Sequence, residues 1–153
     1  MVKMPDSRIV SIHKKIAELI AVDYSSGFSG IDFTNRVIRA VEIEPIMVPN
    51  ACVKFIDSKE DYGPTMGRYS GDAIFEVYAF VNGKDPIQRS DQAINICSDM
   101  IKSITANRQL SLGSLVDDVL CSFKAIEGDI FGLTSTGIGY IEIIIKYQTA
   151  DGA

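Results

Sequence analysis

His13 is the only histidine in the chain, and it is the first side chain to consider for acid–base or nucleophilic chemistry. A hydrolase would pair such a histidine with an activated serine or cysteine. No G-x-S-x-G segment is present. His13 lies instead beside a run of apolar residues with helical spacing, so a position at the edge of a packed helix is favoured. No catalytic residue is predicted.

Carboxylates occur close together in two places, and neither has the spacing of a metal site or an acid–base pair. Asp117 and Asp118 are adjacent. On a strand they would point to opposite faces, so they indicate the turn into a strand. Asp57, Glu60 and Asp61 could hold a divalent ion but lack the spacing of a calcium loop. No metal ligand is predicted.

Glycines and cysteines likewise indicate structural roles and no cofactor. The glycines within 27–30 and 128–139 match neither a phosphate-binding loop nor a dinucleotide fingerprint. Cys52, Cys97 and Cys121 are odd in number, far apart and set in apolar sequence. The polar N-terminus does not resemble a secretion signal. We therefore expect buried, reduced thiols and folding in a reducing cytoplasm.

Composition excludes two further classes of partner. The 153 residues suit one domain, and the net charge is −5 with a pI near 4.8. The fifteen basic residues are scattered, whereas a surface for nucleic acid needs them clustered. No stretch approaches the ~20 apolar residues of a membrane span. We expect neither direct nucleic-acid binding nor membrane insertion.

Two segments have helical periodicity. The first covers residues 7–22, with isoleucines and leucines recurring on one side. The second runs from Asp85, as cap, to about residue 107, with Pro86 at its first position and Gln88 in the capping box. Its expected buried stripe is Ala93, Ile94, Cys97, Ile101 and Ile104. Its expected solvent-facing residues are Arg89, Asn95, Asp99 and Lys102.

Alternating patterns predict strands in the second half. Residues 73–81 and 138–148 alternate with period two. A third strand carries an expected inward row of Val119, Cys121, Phe123 and Ala125. Residues 36–44 and 51–56 are weaker candidates, because Pro45 and Pro49 interrupt them. The predicted class is α+β: a mainly antiparallel sheet of four to five strands with two main helices packed on one face, in a single domain.

Residues 57–70 (DSKEDYGPTMGRYS) are polar, and the sequence predicts a long mobile loop there. Aromatic and methionine side chains flanked by glycine, proline and charge are typical of contact loops, because they bury large areas against a partner. A loop that folds back over its own sheet edge is the alternative. The residues predicted to form a contact surface are Tyr62, Met66, Arg68 and Tyr69.

Three consecutive segments of the second half resemble a known family. They are the helix DPIQRSDQAINICSDMIKSITAN, the turn LSLGSLVDDV with the strand after it, and the closing strand IGYIEIIIKYQ. Together they resemble the tail terminator (tail completion, tail-to-head joining) proteins of long-tailed bacteriophages. The residues that occupy the matching turn are Leu112, Gly113, Leu115, Val116 and Asp117.

The resemblance implies a structural virion protein and no enzyme, with no cofactor. Terminators form a ring, expected to be a homo-hexamer, which caps the tail tube, ends tube growth and offers a surface for the head–tail connector or stopper. The implied partners are other copies of the chain, the tube protein and the connector, with the sheath as a further candidate. DNA would only pass through the lumen. The implied location is the tail or neck of the virion, assembled in the host cytoplasm.

A small cytoplasmic α+β enzyme or ligand-binding protein is the competing interpretation. Such a protein, expected as a dimer, needs a pocket between helix and sheet with convergent polar groups. The inward rows predicted above contain almost none.

Overall fold

The computed structural model of the chain describes residues 7–39, 48–62, 68–106, 110, 116–127 and 136–150. Two helices and five strands follow one another within these residues. In chain order they are α1 (Arg8–Ile20), β1 (Val37–Arg39), β2 (Asn50–Tyr62), β3 (Arg68–Asn82), α2 (Pro86–Thr105), β4 (Asp118–Glu127) and β5 (Thr136–Ala150).

The five strands form one mixed sheet in the order β1-β2-β3-β5-β4. β1 pairs with β2 in parallel over three residues, and the other three pairings are antiparallel. β3 lies at the centre and pairs along its full length with β5. The short β1 and the ten-residue β4 are therefore the two outer strands of the described sheet.

Both helices pack on the same face of this sheet. α1 lies over β1 and β2, while α2 lies over β3, β5 and β4. The alternate residues Phe75 and Val77 of β3 and Ile141 and Ile143 of β5 pack with the helices in one buried cluster. Burying this apolar surface is the main driving force for the fold. The predicted α+β class, with helices on one face, is confirmed.

Local capping explains where the helices begin. The Ser7 hydroxyl accepts a hydrogen bond from the Val10 N–H at 3.2 Å, and the Asp85 carboxylate accepts one from the Gln88 N–H at 2.8 Å. Pro86 follows Asp85 at the first turn, where its missing N–H costs nothing. The predicted cap and Pro86 position of α2 are confirmed.

α2 approaches the sheet closely enough to require glycine on β5. A Cβ atom at Gly139 would lie 2.3 Å from the Cys97 Sγ, and one at Gly137 would lie 2.4 Å from the Arg89 carbonyl oxygen. Real Cβ atoms do not approach other atoms this closely. The two glycines thus fix where the first half of α2 rests on β5.

The prediction of a loop over residues 57–70 was wrong for most of that range. β2 continues to Tyr62 and β3 begins at Arg68, so both arms of the segment are strands. The weak strand candidate at residues 51–56 is part of a 13-residue strand, β2, which starts directly after Pro49, so the proline does not shorten it. Antiparallel pairing supplies the backbone hydrogen bonds here, and it does not require an apolar period-two pattern.

Two details of the predicted inward faces also need correction. On α2, Ile94 is 42% exposed whereas Asp99 is only 4% exposed, the reverse of the expectation. On β4, Phe123 was expected in the inward row but is 41% exposed, and a bulge between Phe123 and Ala125 shifts the backbone register against β5 directly after it.

Candidate assembly surfaces

The predicted contact residues lie around the end of the β2–β3 hairpin. Tyr62 is the last residue of β2, and the register pairs it with Tyr69 of β3. Arg68 is the first residue of β3 and pairs with Ala150 of β5. Met66 lies outside the described residues. The backbone thus brings Tyr62, Arg68 and Tyr69 together at one end of the sheet, in strands and not in a loop.

This end of the sheet reaches past α2. The 15-residue strands β3 and β5 span about 50 Å, whereas the 20-residue α2 spans about 30 Å. The first half of α2 lies against Gly137 and Gly139, near the start of β5. The opposite end, where Tyr62 pairs with Tyr69, consequently extends beyond α2.

The turn that carries the family resemblance is described only at its end. Leu112, Gly113 and Leu115 lie outside the described residues. Val116 is fully buried, and the Asp117 N–H donates to the Lys146 carbonyl oxygen at 2.7 Å. These two residues bring the chain into β4 against β5, as expected for a strand-entry turn.

A buried carboxylate that sequence reasoning missed holds the segment between α1 and β1. The two oxygens of Asp99 accept hydrogen bonds from the Phe28 and Ser29 N–H groups, each at 2.8 Å. Gln92 adds a longer bond to the Ser29 carbonyl at 3.4 Å. A Cβ atom at Gly27 would lie 2.6 Å from the Asp99 Oδ1, so only glycine fits there. We call this arrangement the Asp99 clamp.

The Asp99 clamp presents an exposed aromatic ring. Phe28 is 65% exposed although its backbone is tied down. Beside it, a surface cavity of about 510 Å³ is lined by residues that include Tyr24, Asp99 and Lys102. The Tyr24 hydroxyl donates to the Ile20 carbonyl oxygen at 2.9 Å, and burial raises the pKa of this hydroxyl far above its ordinary value. A rigid, exposed aromatic side chain is typical of an interface anchor.

The free flank of α2 is apolar. Ser103 faces α1, since its hydroxyl donates to the Leu19 carbonyl oxygen at 2.6 Å. At 100° per residue, Ile94 and Ile87 lie about 160–180° around the helix from Ser103. They therefore face away from α1, over the β4 edge, and Ile87 is 75% exposed. No described residue covers this flank.

Exposed large apolar side chains fall on two opposite sides of the molecule. We define the α1 side by Val22, Phe28, Ile38, Phe55 and Ile56, which belong to the α1–β1 segment, β1 and β2. We define the β4 side by Ile87, Ile94, Leu120 and Phe123, which belong to α2 and β4. Among the residues whose side-chain exposure the structure describes, these nine are the exposed large hydrophobic ones. The two sides are formed by different elements of the fold.

The sheet face opposite the helices combines a small buried cluster of Cys52, Phe80 and Ile138 with polar groups. The hydroxyls of Tyr78 and Tyr140 donate to the two carboxylate oxygens of Glu76, the former at 3.1 Å. Nearby, Lys146 and Asp72 form an ion pair at 3.7 Å. These groups satisfy one another across β3 and β5, so they give the face a fixed polar pattern.

His13 has a structural contact. Its Nε2 lies 2.8 Å from the Val53 carbonyl oxygen, and its ring centroid lies 5.3 Å from that of Phe75. Burial lowers the pKa of His13, and the positive charge of Arg39 acts in the same direction, while the bond to Val53 opposes both. His13 thus joins α1 to β2, at the edge of the packed surface.

The cysteines and carboxylates of the described ranges form no metal-binding group. No group of three or more His, Cys, Asp or Glu residues within the described ranges could hold a metal ion. The three cysteines form no disulfide, and burial raises the pKa of Cys97 to about 12 and that of Cys121 to about 11. Neither described helix is long and apolar enough to cross a membrane.

No protein-family model matches this sequence, and no curated protein is similar to it at a significant level.

Proposed function

We propose that the chain is a structural subunit that assembles head to tail into a ring, and that this ring is the tail terminator of a long-tailed bacteriophage. The observation that carries the proposal is the pair of unlike apolar sides, the α1 side and the β4 side. A ring with cyclic symmetry needs two different, complementary surfaces on each subunit. A twofold dimer would use one surface twice and leave the other exposed to water.

The family resemblance supplies the identity of the ring, and the geometry supports it. The end of the sheet that contains Tyr62, Arg68 and Tyr69 projects beyond α2 and is well placed to contact another layer of protein. Six copies would present six such ends on one face of the ring. They would cover the last layer of the tail tube and leave no surface on which another tube subunit could add.

The other partners follow from the two faces of such a ring. One face meets the tube, and the opposite face meets the head–tail connector or stopper, with the sheath as a further partner in a contractile tail. DNA passes through the lumen without specific binding. The net charge of −5 suits this role, because like charges at short range discourage adhesion.

A dimeric enzyme or ligand-binding protein is less favoured. The cavity beside Phe28 lies between a loop and α2, not between helix and sheet, and its buried carboxylate is already bonded to two N–H groups. Thermal shift against metals and nucleotides discriminates the two interpretations. A ligand at a hundred times its Kd would stabilise the fold by about 2.7 kcal/mol.

The proposal is tested by the length of tail tubes assembled with and without the protein. Wild-type protein added to polymerising tube protein should give tubes of limited length. A Tyr62→Ala/Arg68→Ala/Tyr69→Ala variant should fold but leave the tubes longer. A Lys146→Ala variant, altered at an exposed position on the sheet face opposite the helices, is the matched control and should limit length as the wild type does. Tubes of unchanged length with wild-type protein would refute the capping function.

A further inference from the structure

We propose that Asn82 is a site of spontaneous deamidation, at which the chain modifies its own backbone without an enzyme. Asn82 is one of five asparagines in the sequence, and it alone is followed by glycine. Asparagine is among the thermolabile residues of proteins. This chemistry does not depend on what the protein assembles with, so it goes beyond the proposed function.

Deamidation at this position needs only Asn82, Gly83 and water. The backbone nitrogen of Gly83 attacks Cγ of Asn82, the new C–N bond closes a succinimide ring, and Nδ2 leaves as ammonia with the proton of the Gly83 N–H. Water then opens the ring, giving its OH to one of the two carbonyl carbons and a proton to the ring nitrogen. Opening at Cγ restores the normal backbone and leaves aspartate. Opening at the backbone carbonyl carbon leaves isoaspartate, in which the main chain runs through the side chain.

The structure leaves Asn82 accessible at the end of a strand. It is exposed, and it is the last residue of β3. Its register partner is Thr136 of β5, whereas the pairing of β3 with β2 ends at Phe80. Asn82 is therefore held by a neighbouring strand on one side only, and the ends of elements open at low free energy. The backbone rotation that ring closure requires is thus least restricted there.

At the other described asparagines the attacking nitrogen is held in place. The N–H groups that directly follow Asn35 and Asn50 each donate to a backbone carbonyl oxygen, at 3.0 and 2.9 Å respectively. Asn95 lies inside α2, where the helical hydrogen bonds engage the next N–H. Gly83 belongs neither to β3 nor to α2. The structure thus distinguishes Asn82 from these three asparagines.

The packing of α2 requires glycine after Asn82. A Cβ atom at Gly83 would lie 2.6 Å from the Arg89 backbone nitrogen and 2.7 Å from the Arg89 Cα. Backbone atoms in the first turn of a helix cannot move aside as the end of a flexible side chain can. Glycine also hinders the attack least, because it has no Cβ and permits the widest range of backbone angles. The fold therefore preserves the neighbour that makes Asn82 susceptible.

The two products should affect the start of α2 differently. Isoaspartate lengthens the main chain by one carbon directly before the contact of Gly83 with Arg89. It also precedes the hydrogen bond in which the Lys84 N–H donates to the Gln88 Oε1 at 2.6 Å, so we expect it to displace this connection and lower the Tm. Aspartate keeps the normal main chain and adds a negative charge near the N-terminus of α2, where the helix dipole favours it. An Asn82→Asp variant should therefore melt no lower than the wild type.

Mass spectrometry of the full-length chain tests the proposal after the protein has been aged at mildly alkaline pH and digested with trypsin. Trypsin releases Asn82 in the peptide 69–84, which contains no other asparagine. This peptide should gain the mass of an amide-to-carboxyl exchange about 10-fold faster than the other asparagine peptides, which corresponds to a barrier lower by about 1.4 kcal/mol. An isoaspartyl methyltransferase should label it, because one of the two products is isoaspartate.

Asn82→Gln is the matched control, since its longer side chain keeps the amide but closes the ring much more slowly. In this variant the peptide 69–84 should keep its mass, and ageing should leave the Tm unchanged. A wild-type peptide that keeps its mass, or that changes no faster than the other asparagine peptides, would overturn the proposal. A mass gain in this peptide that persists in Asn82→Gln would also overturn it, because the modified group would then lie elsewhere.

Discussion

Replacing Asp99 with alanine should lower the free energy of unfolding by about 2–4 kcal/mol. The carboxylate accepts two backbone N–H bonds at 2.8 Å, and it is 4% exposed. Hydrogen bonds to a charged group contribute about 1.5–3 kcal/mol each. The two contributions are reduced because the neighbouring surface cavity lets water reach the freed N–H groups of Phe28 and Ser29.

Urea denaturation followed by circular dichroism measures this effect. With a slope near 2 kcal/mol per M, the midpoint should fall by about 1–2 M. Asp91→Ala is the matched control, since Asp91 is exposed on the same helix and should change stability by no more than about 0.5 kcal/mol. Asp99→Asn should lie between the two, because an amide retains one acceptor oxygen. An Asp99→Ala midpoint equal to that of Asp91→Ala would refute the clamp.

Further predictions concern His13, β5 and the thiols. The pKa of His13 is lower in the folded protein than its ordinary value of 6.5, so His13 contributes to stability above pH 6.5. This contribution is lost as the pH falls through the folded pKa, and the free energy of unfolding then falls by at most about 1.4 kcal/mol per pH unit. A His13→Gln variant should lose that part of the pH dependence in urea titrations at pH 7.5 and 5; an unchanged pH dependence would contradict the assignment. Gly139→Ala should lower the free energy of unfolding by about 1–3 kcal/mol through overpacking against the Cys97 Sγ. Adding Cys97→Ala to the same chain should recover part of this free energy, and no recovery would exclude the predicted clash with Sγ. Cys97 and Cys121 should react slowly with a thiol reagent at pH 8 in the native protein and rapidly in denaturant, and fast native labelling of Cys97 would contradict its burial.

The parts of the fold that could be predicted from sequence are those set by local pattern. Period-two alternation marked the buried row of β5, because Ile141, Ile143, Ile145 and Tyr147 all face the helices. The start of α2 was likewise readable, since a cap and its neighbours act within one turn. In both cases the determining contacts lie a few residues apart in the chain.

The parts that could not be predicted depend on distant contacts. Asp99 is a polar residue on a helix, so the sequence predicted that it would face solvent. It is buried because a segment about seventy residues earlier in the chain folds onto it. The extension of β2 to Tyr62 depends on its register with β3, which a polar sequence does not reveal. The spacing of Ile94 predicts a core residue, yet the buried stripe of α2 is rotated toward α1, so that Ile96 and Met100 are buried while Ile94 is exposed.

Particle symmetry in negative-stain electron microscopy of the purified protein tests the central claim most directly. Head-to-tail assembly through two unlike sides predicts closed rings with a central hole, and the terminator resemblance predicts that they are sixfold. Discrete particles with twofold symmetry would contradict it, because they require a contact between identical surfaces.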